Sequence, residues 1–296
     1  MNGKVVVITG ASSGFGKGTA RKFGEAGASV VVAARRHNLL DELAGEIERS
    51  GGKALAVPTD VRRPEDIEKL ASETLAKFGH IDVWVNNAGA GALGLFEQVP
   101  LEDHVQVIET GLLGTLYGSY AAIRQFKRQG AGILINVASV IGKVPAPYFS
   151  SYAAAKHGVV GLSASIRQEL RENNIDGIHI CTVEPSSFDT PFFEHTANYT
   201  GHKAKPIPPV YDPQKVVDAI FDLVSHPRDE VQVGAAGKAA AVFHNIAPGL
   251  TEKMMGKQTH MAEIDEDDFA PDTQGSLYEP SPEIGGVEVT GGWLKL

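Results

Sequence analysis

The N-terminal segment contains the pattern that most limits the fold of this chain. Lys4 to Thr9 form a continuous apolar run, as expected for a strand buried on both faces of a sheet. A glycine-rich turn, Gly10 to Gly16, follows it, and a helical pattern then runs from Lys17 to Ala26. Such a unit binds dinucleotides, because the glycines let the backbone approach a pyrophosphate at the helix N-terminus. The spacing here is G-x-x-x-G-x-G.

Strand and helix patterns then alternate along the chain. The predicted strands span residues 4–9, 29–34, 54–57, 81–85, 132–137, 177–183 and 230–234. This alternation predicts a Rossmann-like, doubly wound α/β fold with a seven-stranded parallel sheet and helices on both faces. Residues 1–234 are therefore predicted to form one dinucleotide-binding and catalytic domain. The long helical stretch from Leu101 to Gln129 contains Gly111, Gly114 and Gly118, which permit a bend or close packing. Small residues there favour a subunit contact, and we expect a homo-oligomer, either a dimer or a tetramer.

Two arginines follow the second strand, at Arg35 and Arg36. NAD-binding folds place an acidic residue near this point to hold the ribose 2′-hydroxyl. A guanidinium pair suits a 2′-phosphate, with which it forms forked, charge-assisted hydrogen bonds. The sequence therefore favours NADP over NAD, the alternative being two solvated arginines at the start of a helix. Asn87, Ala88 and Gly89 follow the fourth strand, either at the ligand-binding edge of the sheet or in an ordinary turn.

Tyr152 and Lys156 lie four residues apart within a predicted helix and so share one face. A free phenol has a pKa near ~10, and a neighbouring ammonium favours the phenolate. We therefore expect Lys156 to lower the pKa of Tyr152, which makes the phenol usable as a general acid or base near neutral pH. The alternative is a chance pairing of the kind that any long helix permits.

Taken together, these motifs resemble the short-chain dehydrogenase/reductase family over about residues 3–234. The resemblance rests on Thr9 to Gly16, Asn86 to Gly89, Ser139, and Tyr152-x-x-x-Lys156. It implies that Tyr152 exchanges a proton with the substrate oxygen, that Ser139 holds that oxygen, and that Lys156 bonds the nicotinamide ribose. The implied cofactor-binding residues are Gly10, Ser12, Ser13, Gly14, Phe15, Gly16, Arg35, Arg36, Asp60, Val61, Asn87, Ala88, Gly89, Tyr152, Lys156, Pro185, Phe188 and Thr190.

Two positions depart from the family pattern. Gly111 stands where the family has an asparagine that helps to hold a water on the proton path. Ser186 follows Pro185, where the family commonly has glycine, and its side chain narrows the backbone conformations available near the nicotinamide. Neither change removes the proton-transfer group.

The segment from Pro191 to Val210 is expected to select the substrate. It is long, contains Phe192, Phe193 and Tyr199, and reads as a loop without structure of its own. Such loops are often lids, and the aromatic side chains suit an apolar substrate. The alternative is simple packing of these rings under the loop.

The C-terminal region extends beyond the seventh strand. Residues 235–260 read as a helical extension broken at Pro248-Gly249. This extension could pack on the body, on a second subunit or on a membrane surface, and we expect it to pack on protein. Residues 261–296 contain nine acidic residues against Lys295, so they carry −8 of the total charge of −9. This acidic segment, rich in proline and glycine, is predicted to be a mobile tail.

Composition excludes several classes of function. The rest of the chain is nearly neutral, so it has no basic surplus for nucleic acid. No apolar run is long enough for a membrane span, and the histidines form no metal-binding motif. Cys181 is the single cysteine, so we expect a reducing, cytoplasmic location.

The sequence thus predicts an NADP-preferring oxidoreductase that interconverts a small-molecule alcohol and its carbonyl compound. One alternative is a cofactor-binding sensor or scaffold with little turnover. Another is chemistry without net redox on the same fold, such as dehydration or epimerisation.

Overall fold

The computed structural model describes residues 1–264, 268–280 and 286–295. Within these residues, seven strands form one parallel sheet in the order β3-β2-β1-β4-β6-β7-β9. The strands of this sheet are β1 (Val5–Thr9), β2 (Ser29–Ala34), β3 (Lys53–Pro58), β4 (Val83–Asn86), β6 (Gly132–Val137), β7 (Ile178–Pro185) and β9 (Glu230–Val233). The predicted Rossmann-like, doubly wound sheet is confirmed. The strand order reverses between β1 and β4, and ligands bind at such a point beyond the carboxyl ends of the strands.

Helices cover both faces of the sheet. They are α1 (Gly14–Glu25), α2 (His37–Arg49), α3 (Pro64–Phe78), α4 (Leu101–Ile108), α5 (Gly114–Gln129), α6 (Ser150–Glu172), α7 (Phe192–His195), α8 (Gln214–Asp222), α9 (Ala235–Ile246) and α10 (Pro248–Glu263). Side chains of β1 alternate between two apolar clusters, with Val6 and Ile8 in one and Val7 in the other. Phe23 of α1 belongs to the first cluster and Phe126 of α5 to the second, so each face of the sheet has its own core.

The predicted helix over residues 101–129 is divided by a π-helical turn at Glu109–Leu113. Gly111 lies inside this turn, which separates α4 from α5. Further along, a Cβ on Gly118 would lie 2.1 Å from Oδ1 of Asn86, so α5 packs too closely on β4 for any larger residue. Gly118 therefore permits the close packing of α5 on β4, and Gly111 lies in the π-helical turn between α4 and α5.

Residues 191–210 have more structure than the sequence predicts. They contain α7 and β8 (Ala197–Asn198), and β8 pairs in parallel with β5 (Ala92–Leu93) to form a small second sheet. The expectation of a loop without its own structure is therefore wrong. Strands of two residues are too short to show any hydrophobic period, so the sequence gives no signal for them.

The C-terminal extension breaks where the sequence predicts, with α9 ending at Ile246 and α10 beginning at Pro248. Beyond it, residues 268–280 and 286–295 lie against the α/β body through hydrogen bonds that the sequence does not predict. The remainder of the predicted mobile tail, at 265–267, 281–285 and 296, lies outside the described residues. None of the helices in the described part of the chain is long and apolar enough to cross a membrane.

Candidate active site

A cavity of about 230 Å³ opens beyond the carboxyl ends of β6 and β7. Its wall includes Ser139, which follows β6, and Tyr152 and Lys156 from the first turns of α6. The structure thus brings the three predicted catalytic residues together. Because α6 begins at Ser150, residues 152 and 156 fall on successive turns of one face.

Lys156 is buried and directed at this wall. Its Nζ donates a hydrogen bond to the Val137 carbonyl at 2.8 Å and lies 5.5 Å from the centre of the Tyr152 ring. The Ser139 hydroxyl donates to the Pro185 carbonyl at 3.4 Å and accepts from the Ile141 amide at 3.2 Å. Backbone groups at the ends of β6 and β7 therefore fix both polar groups beside the phenol.

Burial is the main cause of the pKa shifts of Tyr152 and Lys156. It raises the pKa of Tyr152 to about 12, against a smaller lowering by a hydrogen bond with Ser139. Burial also lowers the pKa of Lys156 to about 8, because it disfavours the ammonium. The predicted lowering of the tyrosine pKa is therefore wrong in direction: loss of solvent around the phenol is the dominant effect.

A second cavity, of about 210 Å³, lies at the carboxyl ends of β1 and β2. Both cavities have Phe15, Asn87, Gly89 and Thr190 in their walls, so they form one crevice. Predicted cofactor residues in the wall of the second cavity are Gly10, Ser12, Ser13, Gly14, Phe15, Arg35, Arg36, Asp60, Val61, Asn87, Ala88, Gly89 and Thr190. Those in the wall of the first are Phe15, Asn87, Gly89, Tyr152, Lys156, Pro185, Phe188 and Thr190.

Gly16 is the one predicted cofactor residue outside both walls, and it is buried beneath the glycine-rich turn. A Cβ at this position would lie 2.3 Å from the Gly10 carbonyl oxygen. Gly10 has a positive φ of 66°, and a Cβ there would lie 2.7 Å from Cα of Ala88. The Asn87 side chain donates to the carbonyls of Thr9 and Gly10, each at 3.1 Å. The turn is therefore compact, with Gly10 and residues 12–15 in the crevice wall, and its Gly14 amide donates to the Glu288 carbonyl at 2.9 Å.

The two arginines after β2 point to different partners. Arg36 donates to the Ser12 hydroxyl at 3.0 Å and to the Ser13 hydroxyl at 3.2 Å. Arg35 instead donates to backbone carbonyls of the tail, at residues 276–278. Only Arg36 therefore lies against the hydroxyls of the glycine-rich turn.

Arg62 is a residue of this crevice that the sequence did not single out. Its guanidinium forms a fork with the carboxylate of Asp60. Burial alone would raise the pKa of Asp60, but the hydrogen bonds and charge of Arg62 outweigh it and hold that pKa below its usual value. The carboxylate of Asp60 in the crevice wall is therefore paired with the guanidinium of Arg62.

Two buried hydroxyls lie in the wall of the first cavity, at the end of the crevice where the resemblance places the nicotinamide. The side-chain oxygens of Ser186 and Ser187 have no hydrogen-bond partner among the described residues. Unpaired buried hydroxyls are costly, so they suit a polar ligand group in this cavity. With the compact glycine turn and Arg36, they fit a dinucleotide along the crevice. No metal-binding cluster of His, Cys, Asp or Glu occurs in the described ranges.

Apolar side chains cover the Tyr152 end of the crevice. Phe192 and Phe193 of the segment at 191–210 line the cavity, and Ile207 and Met255 join them. Tyr199 does not, because its hydroxyl donates to the buried carboxylate of Asp103. Sequence reasoning missed Met255 and the other residues of the C-terminal extension here, because they meet the cavity only through the tertiary fold.

Comparison with known proteins agrees with this geometry. The family model described as short chain dehydrogenase matches residues 4–199. An uncharacterized oxidoreductase, YxnA of Bacillus subtilis, is 34% identical over 99% of this chain and 82% of its own length. A cyclohexanol dehydrogenase of an Acinetobacter species is 32% identical over 76% of this chain and 88% of its own.

Among solved structures, an alcohol dehydrogenase from Thermococcus sibiricus, complexed with 5-hydroxy-NADP, has a TM-score of 0.67 and 28% identity. The match covers 78% of this chain and 95% of the archaeal one. The sheet order, the crevice at its reversal point and these matches agree, and the chain therefore belongs to the short-chain dehydrogenase/reductase family of oxidoreductases.

Proposed function

We propose that this protein is an NADP-preferring oxidoreductase that interconverts an alcohol and a carbonyl compound, with Tyr152 as the acid/base. The observation that carries the proposal is the convergence of Ser139, Tyr152 and Lys156 on one wall of a crevice that continues to the glycine-rich turn. When bound, NADPH would supply the hydride for reduction of the carbonyl compound and NADP⁺ would accept it from the alcohol.

The protein's own residues would manage the proton. A phenol with a pKa of about 12 keeps its proton at neutral pH, so Tyr152 is ready to donate to a carbonyl oxygen during reduction. The Ser139 hydroxyl would hold the same oxygen and stabilise charge that develops on it. Lys156, still mainly charged at pH 7, would stabilise the phenolate left behind.

Cofactor preference would rest on Arg36. Its guanidinium already lies on the hydroxyls of Ser12 and Ser13, and these three groups together form a donor set for a 2′-phosphate. The rings of Phe192 and Phe193 and the side chains of Ile207 and Met255 favour an apolar substrate, held under a lid formed by residues 191–210.

Assays of NADPH oxidation against a panel of aldehydes and ketones, including cyclic ketones, test this function. We expect turnover by the wild type and a loss of at least ~100-fold in kcat for Tyr152→Phe, which removes the proton donor. Tyr148→Phe is the matched control, because the Tyr148 hydroxyl bonds to His260 and does not line the crevice.

NADPH binding without turnover on any carbonyl, and no effect of Tyr152→Phe, would instead favour the cofactor-binding sensor. Gly111 is the feature that favours this second function, since the asparagine of the family proton path is absent. Product formation without net oxidation of NADPH would point to dehydration or epimerisation.

Oligomerisation is part of the same proposal. Leu116 and Tyr120 are exposed on α5, next to the glycines of the 101–129 stretch. These side chains support the expected homo-oligomer.

A further inference from the structure

The C-terminal tail contacts the adenosine end of the crevice at an arginine. The Arg35 guanidinium donates to the carbonyls of Ser276 at 2.5 Å, Leu277 at 3.1 Å and Tyr278 at 2.7 Å. Leu277 is 1% exposed, and Ser276, Leu277 and Pro280 form part of the cavity wall there. The tail is thus one side of the crevice.

The same tail contacts the loop after β7, beside the junction of the two cavities, at an aspartate. The buried carboxylate of Asp189 accepts hydrogen bonds from three tail amides, those of Gly291 at 2.9 Å, Trp293 at 2.8 Å and Leu294 at 3.3 Å. Asp189 precedes Thr190, which lines both cavities. A buried carboxylate needs such partners, so the tail also holds the loop after β7 in place.

The tail also binds the lid segment and the glycine-rich turn. Asn198 of β8 exchanges two backbone hydrogen bonds with Thr273, at 2.8 and 3.0 Å. The Tyr278 hydroxyl donates at 2.7 Å to Asp103, which also accepts from Tyr199 of the lid segment. At the turn, the Gly14 amide donates to the Glu288 carbonyl at 2.9 Å. Residues 268–280 and 286–295 therefore attach to the lid segment and to the glycine-rich turn, respectively.

We propose that residues 268–280 and 286–295 form a cofactor clasp, a wall that positions the dinucleotide and slows its release. Arg35 and Leu277 are its positioning residues at the adenosine end, and Asp189 anchors it beside the junction of the two cavities. Arg35 acts through the tail: most of its donors are directed to carbonyls, whereas Arg36 is directed to Ser12 and Ser13. This inference rests on the proposed NADP-dependent function.

The negative charge of the tail does not oppose its contacts with the α/β body. The acidic side chain of Glu288 lies 3.4 Å from Nζ of Lys17 and 3.8 Å from the Arg21 guanidinium. The tail groups that accept hydrogen bonds from Arg35 are neutral carbonyls, and the carboxylate of Glu279 attracts the same guanidinium. The negative charge of the tail is therefore partly balanced by α1.

The rate of NADPH release tests the clasp, measured by stopped flow in the full-length protein after mixing with excess NADP⁺. We expect Leu277→Ala and Arg35→Ala each to release NADPH about tenfold faster than the wild type, since loss of contacts mainly changes dissociation rates. Leu277→Ala removes a buried side chain and Arg35→Ala removes the donors to the tail carbonyls, so the two substitutions loosen one segment through different contacts, and the double variant should release NADPH at least as fast as the faster single variant. Leu250→Ala, at an exposed leucine of α10, is the matched control and should leave the rate unchanged.

Several results would overturn the clasp. One is a lower melting temperature with release rates within about twofold of the wild type, which indicates a purely structural tail. Slower release in the variants would mean that the tail competes with the cofactor. Faster release in Arg35→Ala together with wild-type release in Leu277→Ala would mean that Arg35 contacts the cofactor directly and does not act through the tail. If Leu277→Ala fails to fold, Tyr278→Phe tests the same attachment through its bond to Asp103. A wild type that binds no dinucleotide would overturn the proposed function itself, a separate and recognisable result.

Discussion

The ammonium of Lys156 lies 5.5 Å from the centre of the Tyr152 ring and is itself buried, with the Val137 carbonyl as its hydrogen-bond acceptor at 2.8 Å. The pair therefore combines a pKa lowered to about 8 on the lysine with one raised to about 12 on the tyrosine. Both shifts disfavour the charged forms, which is the direction expected from loss of solvent. This arrangement makes the site costly to fold as well as useful for chemistry.

Replacing Lys156 with methionine should stabilise the protein below pH 8. The unfolded lysine has a pKa of 10.5 and the folded one of about 8, so the unfolded state binds more protons between these values. Wild-type stability should therefore rise with pH across that window. A shift of this size corresponds to roughly 3 kcal/mol, reduced by the lost bond to Val137, so we expect Lys156→Met to gain on the order of 2 kcal/mol at pH 7.

Urea unfolding from pH 6 to pH 10.5 measures this effect. The advantage of Lys156→Met should shrink towards pH 10.5, where the folded lysine is neutral and about half of the unfolded lysine still binds a proton. A constant difference across the whole range would show that burial of the charge is not the cause. Lys253→Met, at an exposed position on α10, serves as the control.

Replacing Arg36 with alanine should change the preference between cofactors. Loss of the guanidinium beside Ser12 and Ser13 removes a forked phosphate contact, so the ratio of NADPH to NADH affinity should fall about 10- to 100-fold. Arg35→Ala should weaken both cofactors to a similar extent, because it loosens the tail. Isothermal titration with each cofactor measures the ratio, and Arg63→Ala, at an exposed arginine before α3, is the control. An unchanged ratio in Arg36→Ala would contradict this assignment.

Replacing Phe193 with alanine should impair substrate binding more than cofactor binding. The ring lines the cavity and packs edge-on against Phe192, with centroids 5.4 Å apart. We expect KM for an apolar carbonyl substrate to rise about tenfold, with NADPH affinity changed by less than about twofold. Equal weakening of substrate binding and NADPH binding would argue against a lid formed by residues 191–210. Phe96→Ala, at an exposed phenylalanine far from the crevice wall, provides the comparison.

The main sheet was predictable because its strands are buried on both faces and appear as apolar runs such as Val5–Thr9. Residues of the site were predictable where a short motif fixes their spacing, as for Tyr152 and Lys156. The pKa shifts of that pair were not predictable, because their direction depends on burial that only the folded chain creates. The split between Arg35 and Arg36 was equally hidden, since the partners of Arg35 lie more than two hundred residues away in the chain. The acidic, proline- and glycine-rich sequence of the tail gives no indication of such contacts.

The family departure at Ser186 has a partner in the C-terminal extension. A Cβ on Gly237, in the first turn of α9, would lie 2.8 Å from Cβ of Ser186, and one on Gly234 would lie 2.0 Å from its hydroxyl oxygen. The serine and these glycines therefore form a matched set across the junction between the catalytic body and the added helices. Transfer of this pocket into a shorter homologue would therefore require Ser186, Gly234 and Gly237 to be transferred together. A serine introduced alone would clash with any larger side chain at the two glycine positions.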